Sequence, residues 1–470
     1  MYKLLFKSLC FYYKLQSAMF IYEFTAGIQE IVEVPEEEVV ETEYDPHHHR
    51  KIRHPTTYME TMIHMLKGSI GAGVLAMPYA MSRVGLALGL VGLPAIVVFA
   101  GCCLQMLINS QYRWCKREKK SYINYPKCMR IAVLGGPKFL QKYANYFQYL
   151  TDAILISWQL AICVIYFVFV ADNVKLICDY YTLNFSVRVH LCFLFIPMLL
   201  LNMIKDLKMM TPLSLVSNVI QTLSMLLLIF YLVEDDYVVS PEMFTVMSPM
   251  ALAQFIAITL FALEAVGVIL ALEYNMQQPK QFSGACGLMS RGMMVIFCLY
   301  MVVGLGGFLK YGHAVKPAVT LNLPEDQKKA QAARLGMALA IFLSFPLQNY
   351  VAYAILWIKI RKKLQIKSKS AKFIKMSDYG LRISLVVLPF VVAIASPTLG
   401  PFIELAGAFC LSLLAVVFPA LMDICERHPA RYGLCHNKLL RDVVVIVLGM
   451  VALVAGVVVA LMQIIFPGEH

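Results

Sequence analysis

Two ionisable residues stand inside long apolar stretches of this sequence, His64 and Glu264. A charge placed there is costly, so such residues mark ion or proton pathways by default. Histidine titrates near neutral pH, and a carboxylate in apolar surroundings can take up a proton. His64 and Glu264 are therefore candidate proton carriers. Lys67 follows His64 by three residues, close enough for its charge to influence the imidazole, and joins them as a proton-coupling candidate. Two plainer roles stay open: an ion pair between Glu264 and Lys67, and a neutral His64 bonded to a neighbouring helix.

Around these residues the sequence is poor in helix formers. Gly68, Ser69, Ile70, Gly71, Ala72 and Gly73 put three glycines and a serine into six positions in the middle of an apolar run. Low helix propensity there predicts an interruption, with a new helix N-terminus near Ala72 or Gly73. Its free amides and positive dipole end would suit a carboxylate. Close packing of glycine faces is the competing reading. A second interruption is expected at Phe261–Gly267, where Glu264 and Gly267 sit together. A cationic group would then meet carbonyls of the first break and the helix end near Phe261. Phe261, Gln159, Ser344 and Gln348 are candidate wall residues.

The elements that carry these residues are set by composition. Apolar residues make up 60% of the 470 positions and charged residues 15%, with a mean hydropathy of +0.68. A soluble core could not bury this much apolar surface, but a bilayer can. The sequence is expected to be an all-α membrane protein with eleven transmembrane helices: a five-plus-five inverted repeat, interrupted in helices 1 and 6, plus one extra helix. The spans are placed near 57–80, 85–110, 143–170, 189–204, 212–233, 250–273, 292–309, 332–357, 380–396, 402–422 and 443–466. Residues 1–56 read as a largely disordered cytosolic tail, 57–466 as the eleven-helix membrane domain, and 467–470 as a short outer C-terminus.

Orientation follows from loop charge. With the N-terminus inside, the cytosolic loops hold about 25 Lys and Arg, far more than the opposite loops. The sequon Asn184-Phe185-Ser186 falls in an outer loop, which makes Asn184 a candidate glycosylation site. The net charge of +12 belongs to these loops and not to a nucleic-acid surface. The thirteen cysteines show no CxxC, and many lie in apolar spans as small hydrophobes. His47, His48 and His49 lack metal-ligand spacing and read as a solvated stretch. No metal or cofactor is expected. With no HExxH or GxSxG in the spans, neither is an enzyme.

Several stretches, in order over about 400 residues, resemble the proton-coupled amino acid transporters of the amino acid/auxin permease superfamily. They are His54-Pro55-Thr56-Thr57, His64–Pro78, Tyr166–Asn173, Thr320-Leu321-Asn322-Leu323-Pro324, and Leu347-Gln348 with Tyr350-Val351. The insect, pathetic-like branch looks most similar. The resemblance implies eleven helices, a cytosolic N-terminus, and proton-driven transport of small neutral amino acids of the glycine, alanine and proline class. It also implies that His64 matches the family's proton-responsive histidine. Two departures stand out. Ala265 replaces the glycine that follows the glutamate in the family pattern. Residues 310–331 hold no cysteine to pair with Cys178, so the family's loop disulfide is not expected and Cys178 reads as a free thiol. Sodium coupling, with Ser344 as a ligand, and a nutrient sensor signalling to partners through the N-terminal tail are the rival expectations. The membrane is that of the cell surface or of a lysosomal or endosomal compartment.

Overall fold

The computed structural model describes residues 44–50, 52, 55–204, 207–234, 241–246, 248, 250–263, 266–284, 286–366, 370–429 and 437–466. Most of the expected tail (1–43), His54, Glu264, Ala265 and residues 467–470 lie outside the described residues.

The described chain is helical. The elements are α1 Tyr58–Ser69, α2 Ala72–Leu75, α3 Met77–Arg117, α4 Tyr125–Gly135, α5 Lys138–Gln141, α6 Ala144–Tyr180, α7 Val187–Asn202 and α8 Leu207–Val233. They continue with α9 Ala251–Ala262, α10 Val266–Asn275, α11 Leu288–Tyr311, α12 Lys328–Ile366, α13 Ala371–Ala395 and α14 Leu399–Ala406. A π-helical run, Gly407–Val417, then leads into α15 Phe418–Arg427, and α16 Asn437–Ile465 ends the bundle. Among the described residues, eight helical runs are long and apolar enough to cross a membrane. The shorter apolar helices α7 and α9 fall on the fourth and sixth expected spans. The chain is thus an all-helical, multi-pass membrane protein.

Local chemistry sets the ends of these elements. Thr57 caps α1 in a reciprocal pair: its hydroxyl accepts from the Glu60 amide at 3.3 Å, and the Glu60 carboxylate accepts from the Thr57 amide at 2.8 Å. α3 would be about 60 Å long if straight, twice the hydrocarbon thickness of a bilayer. It is not straight, because Gly85 takes φ 76° and ψ 171° inside it. That backbone favours glycine, and a side chain there would also strike the Thr245 carbonyl oxygen, 2.6 Å from where a Cβ would sit. Gly85 therefore separates the end of the first expected span from the second.

The helices are longer than the apolar spans, since polar ends such as 358–366 continue helically past the hydrocarbon. The basic segment 111–142 also folds further than its charge suggests. α4 packs Cys128, Met129, Ala132 and Val133 inward against α6, so part of this loop is core. α12 lies along α8 and α6, α11 along α3, and α16 along the π run.

At one end of the bundle, four arginines surround three buried acids. Arg113 on α3 reaches Asp423 at 3.0 Å and Glu426 at 3.3 Å, and Arg117 reaches Glu426 at 2.8 Å. Arg427 and Arg441 meet Asp423 at 2.9 and 2.7 Å, and Arg441 also meets Asp442 at 2.6 Å. The network ties α3, α15 and α16 together.

At the same end, residues 44–50 form a strap. His47 Nε2 lies 2.8 Å from the Glu273 carboxylate on α10. Arg50 donates to the carbonyls of Tyr274 and Met276. Tyr112 of α3 donates to Asp45 at 3.2 Å, and Lys280 lies 3.3 Å from it. Burial works against the Asp45 charge, but the His47 amide and Lys280 outweigh it and hold the carboxyl below its usual range. His48 and His49 are exposed, as expected of a solvated stretch. His47 is not, because Glu273, distant in sequence, gives it a partner.

Candidate functional site

The first interruption lies within the glycine-rich run. α1 ends at Ser69, Ile70 takes φ −94° and ψ 91°, and Gly71 is extended at the start of α2. Ala76 keeps α-helical angles, so the helix resumed at Ala72 continues into α3. The second interruption follows Ala262, where Leu263 leaves helical geometry before α10 begins at Val266. Broken helices expose backbone groups that an unbroken helix would pair internally.

The two interruptions meet. A Cβ on Gly73 would stand 2.5 Å from the Ala262 Cα and 3.0 Å from its Cβ, so the two backbones touch at this point. Only glycine permits that approach. Tyr300 of α11 then joins both breaks through one hydroxyl, which donates to the Ser69 carbonyl at 3.0 Å and also contacts the Ala262 carbonyl. From the other side, the Gln221 amide of α8 donates to the Ile70 carbonyl. Three carbonyls freed by unwinding are thereby held by side chains of two unbroken helices.

The expected site residues divide by position. Gly68, Ser69, Ile70, Gly71, Ala72 and Gly73 form the first break itself, although the Ser69 hydroxyl turns back to the Met65 carbonyl at 3.2 Å. Phe261 is buried one residue before the second break and meets Trp158 edge-on, with ring centres 5.5 Å apart. Gln159, next to Trp158 on α6, is buried with its side-chain oxygen unpaired. Ser344 is committed elsewhere: its hydroxyl lies 2.7 Å from that of Ser217 on α8 and donates to Ala340 at 2.9 Å. Gln348 lies one turn further along the same helix. α12, which carries both residues, packs along α8 and α6, the helices that carry Gln221 and Gln159.

His64 is buried at 1% exposure, one turn before Gly68, and neither ring nitrogen has a hydrogen-bond partner. Lys67 is half-buried beside it. Glu264 falls in the second break itself, outside the described residues. Asn184 is exposed in the connection between α6 and α7, and Cys178 is half-buried and unbridged. Among the described residues, no group of three His, Cys, Asp or Glu side chains could hold a metal.

Tyr300, Gln221 and Trp158 are absent from the expected set. A lone tyrosine or glutamine in an apolar helix carries no spacing signal, and its partner is visible only once the chain is folded. Glu404 is different. It is a fully buried acid in the apolar run Phe402–Gly407, the same signal that singles out Glu264.

Known proteins are similar to this sequence over most of its length. The family described as transmembrane amino acid transporter protein matches residues 54–462. The Drosophila melanogaster protein named proton-coupled amino acid transporter-like protein pathetic is 32% identical over 431 residues, covering 92% of this chain and 90% of that protein. The probable amino acid transporter skat-1 of Caenorhabditis elegans is 23% identical over 419 residues, covering 85% and 88%.

Proposed function

The chain belongs to the transmembrane amino acid transporter family, and from that premise we propose that it is a proton-coupled symporter moving small neutral amino acids into the cytosol. As a family member it is a membrane transporter and not an enzyme. The observation that carries the finer reading is the meeting of the two broken helices, with non-helical backbone on both sides of the Gly73–Ala262 approach.

In this reading, amides from Gly71 to Gly73 take the substrate carboxylate. Carbonyls of the first break and of the helix end at Phe261–Ala262 take its ammonium. Both recognition elements are backbone, and Trp158 and Phe261 fill the adjoining space. Such a site selects by the two groups that all amino acids share and by limited side-chain volume, which favours glycine, alanine and proline. The buried Gln159 oxygen is a further acceptor on the wall.

His64 and Glu264 carry the proton in this reading, with Lys67 modulating His64. Rocking of one five-helix repeat against the other then carries substrate and proton across. The pathetic protein is named as proton-coupled amino acid transporter-like, which supports the same driving ion. Loop charge supports a cytosolic N-terminus, in either a surface or a lysosomal membrane.

The test is uptake of labelled glycine, alanine and proline by purified protein in liposomes under an imposed pH gradient. Accumulation that follows the proton gradient and persists when sodium is replaced by choline supports the proposal. Accumulation that requires sodium, or no uptake of any of the three, overturns it. His64→Ala should abolish the response to the pH gradient.

A further inference from the structure

Glu404 belongs to a polar cluster in the tenth expected span, beside the helix that leads into the second break. It lies in the second turn of α14, while Asp423 of the arginine network lies near the end of the same span. At 1.5 Å per residue the two are separated by about 30 Å, the thickness of the hydrocarbon layer. Glu404 is 0% exposed, and neither carboxylate oxygen makes a hydrogen bond. Among the described residues no cation lies within ion-pairing distance of it.

Its neighbours come from both broken helices. One turn before Glu404, Gly400 stands against the Tyr79 hydroxyl, 3.2 Å from where a Cβ would sit. Tyr79 and Arg83 belong to the first broken span. Arg83 stacks over the Tyr79 ring at 4.4 Å and donates to its hydroxyl, while its charge reaches Glu404. Gln254, one turn before the Ala257–Phe261 stretch of α9, lies beside Glu404 with its own side-chain oxygen unpaired. Three residues after Glu404, Gly407 packs so closely that a Cβ would fall 1.9 Å from the Ala257 carbonyl oxygen. The helix carrying Glu404 is thus keyed into α9 just before the second break.

Other charged groups also stand at this end. On α6, Asp172 lies within reach of Lys175 and Lys316, and Lys175 pairs with Asp179. α16 brings its charged residues, Lys438, Arg441 and Asp442, only at the opposite end.

We propose that Glu404 is a binding site for the transported proton, separate from His64 and placed at the opposite end of the molecule from the arginine network. The inference rests on the proton-coupled reading above. A proton from the aqueous phase at that end binds one Glu404 oxygen and converts the carboxylate to the neutral acid, the form that a buried site without an ion-pairing cation accommodates. Arg83 then keeps its bond to the Tyr79 hydroxyl. When the proton departs, the carboxylate attracts the Arg83 guanidinium and the Gln254 amide. That attraction draws α3 and α9, the two broken spans, toward α14. Occupancy of the site is thereby linked to the geometry of the breaks.

The experiment uses the full chain in liposomes and compares Glu404→Gln with Glu404→Asp. Two quantities are measured: accumulation of labelled glycine under a pH gradient, and glycine counterflow at equal pH on both sides. Glu404→Gln is expected to lower pH-driven accumulation by about tenfold or more, to lower counterflow far less, and to flatten the pH profile, with Glu404→Asp restoring part of each. Should Glu404→Gln be poorly folded, a hydrophobic carbodiimide applied to the wild-type protein reads the same group. Glu404 should be modified at acidic pH and spared at alkaline pH, as mapped by peptide mass spectrometry. Normal pH-driven accumulation by Glu404→Gln overturns the proposal. So does equal loss of counterflow and accumulation without rescue by Glu404→Asp, and so does a Glu404 that resists carbodiimide at every pH. A wild-type protein that transports no amino acid would instead sink the functional reading itself.

Discussion

The Tyr300 hydroxyl donates to the Ser69 carbonyl across 3.0 Å, joining positions 231 residues apart in the chain. The same hydroxyl contacts the Ala262 carbonyl, so one oxygen pins the loose end of each broken helix. Tyr300→Phe keeps the ring and removes only this pin. Leaving a buried carbonyl without its donor costs about 1–3 kcal/mol. The maximal rate of amino acid uptake by Tyr300→Phe should fall by roughly tenfold, measured per molecule of reconstituted protein. A rate equal to wild type would show that the breaks are held elsewhere.

Gly73 faces the Ala262 backbone and not merely its side chain. Gly73→Ala should therefore destabilise the protein by about 1–3 kcal/mol, the usual range for overpacking. A thermal melt in detergent reads the effect. Adding Ala262→Gly should restore only a part of it, because the new methyl would still meet the residue 262 backbone at 2.5 Å.

The first break is legible in the sequence because Gly68, Gly71 and Gly73 lower helix propensity there, whereas the second opens at Leu263 and Gly267 lies inside α10. The apolar spans are legible for an equally local reason, their length. What cannot be read is the set of partners. Arg113, Arg117, Arg427 and Arg441 look like the ordinary positive charge of inner loops, and loop charge alone cannot reveal that Asp423, Glu426 and Asp442 pair with them. Ser344 reads as a wall residue in the sequence, whereas in the folded chain Ser217 takes its hydroxyl. Glu404 is legible by the rule applied to Glu264, and the folded chain adds what the rule lacks, its position between both broken spans.

Asp423 is 1% exposed and meets three arginines, of which Arg441 is half-exposed. Asp423→Ala should lower stability by about 2–3 kcal/mol, toward the low end for a broken buried pair, since water reaches part of the network. A fall in melting temperature larger than that of Lys359→Ala, whose Asp152 pair is more exposed, is the expected reading.

The Asp45 strap has a defined pH range. A carboxyl held below its ordinary value adds stability above the unfolded value, about 3.9, and loses it as pH falls through the folded one. Hydrogen exchange across residues 44–50 should therefore change little on account of Asp45 between pH 5 and 8 (roughly). Protection relative to the intrinsic exchange rate should fall only in stronger acid. Asp45→Asn should remove that acid dependence.

Asn184 tests orientation. If its loop faces the lumen or the outside, Asn184→Gln should remove any shift in gel mobility produced by glycosidase treatment of the wild-type protein. A glycosidase-sensitive shift that survives the substitution would place the sugar elsewhere.

The π-helical run Gly407–Val417 lets this span hold more chain than an α-helix of the same length. Its hydrogen bonds skip one residue more than those of an α-helix, so it stores extra chain between the half that carries Glu404 and the half that carries Asp423. Removing a single residue there would move the stretch toward α-helical register with both halves still facing their partners. The same deletion in an adjoining α-helical turn would rotate one half against the other by about 100°, and with Asp423 still among its arginines Glu404 would swing away from Gln254.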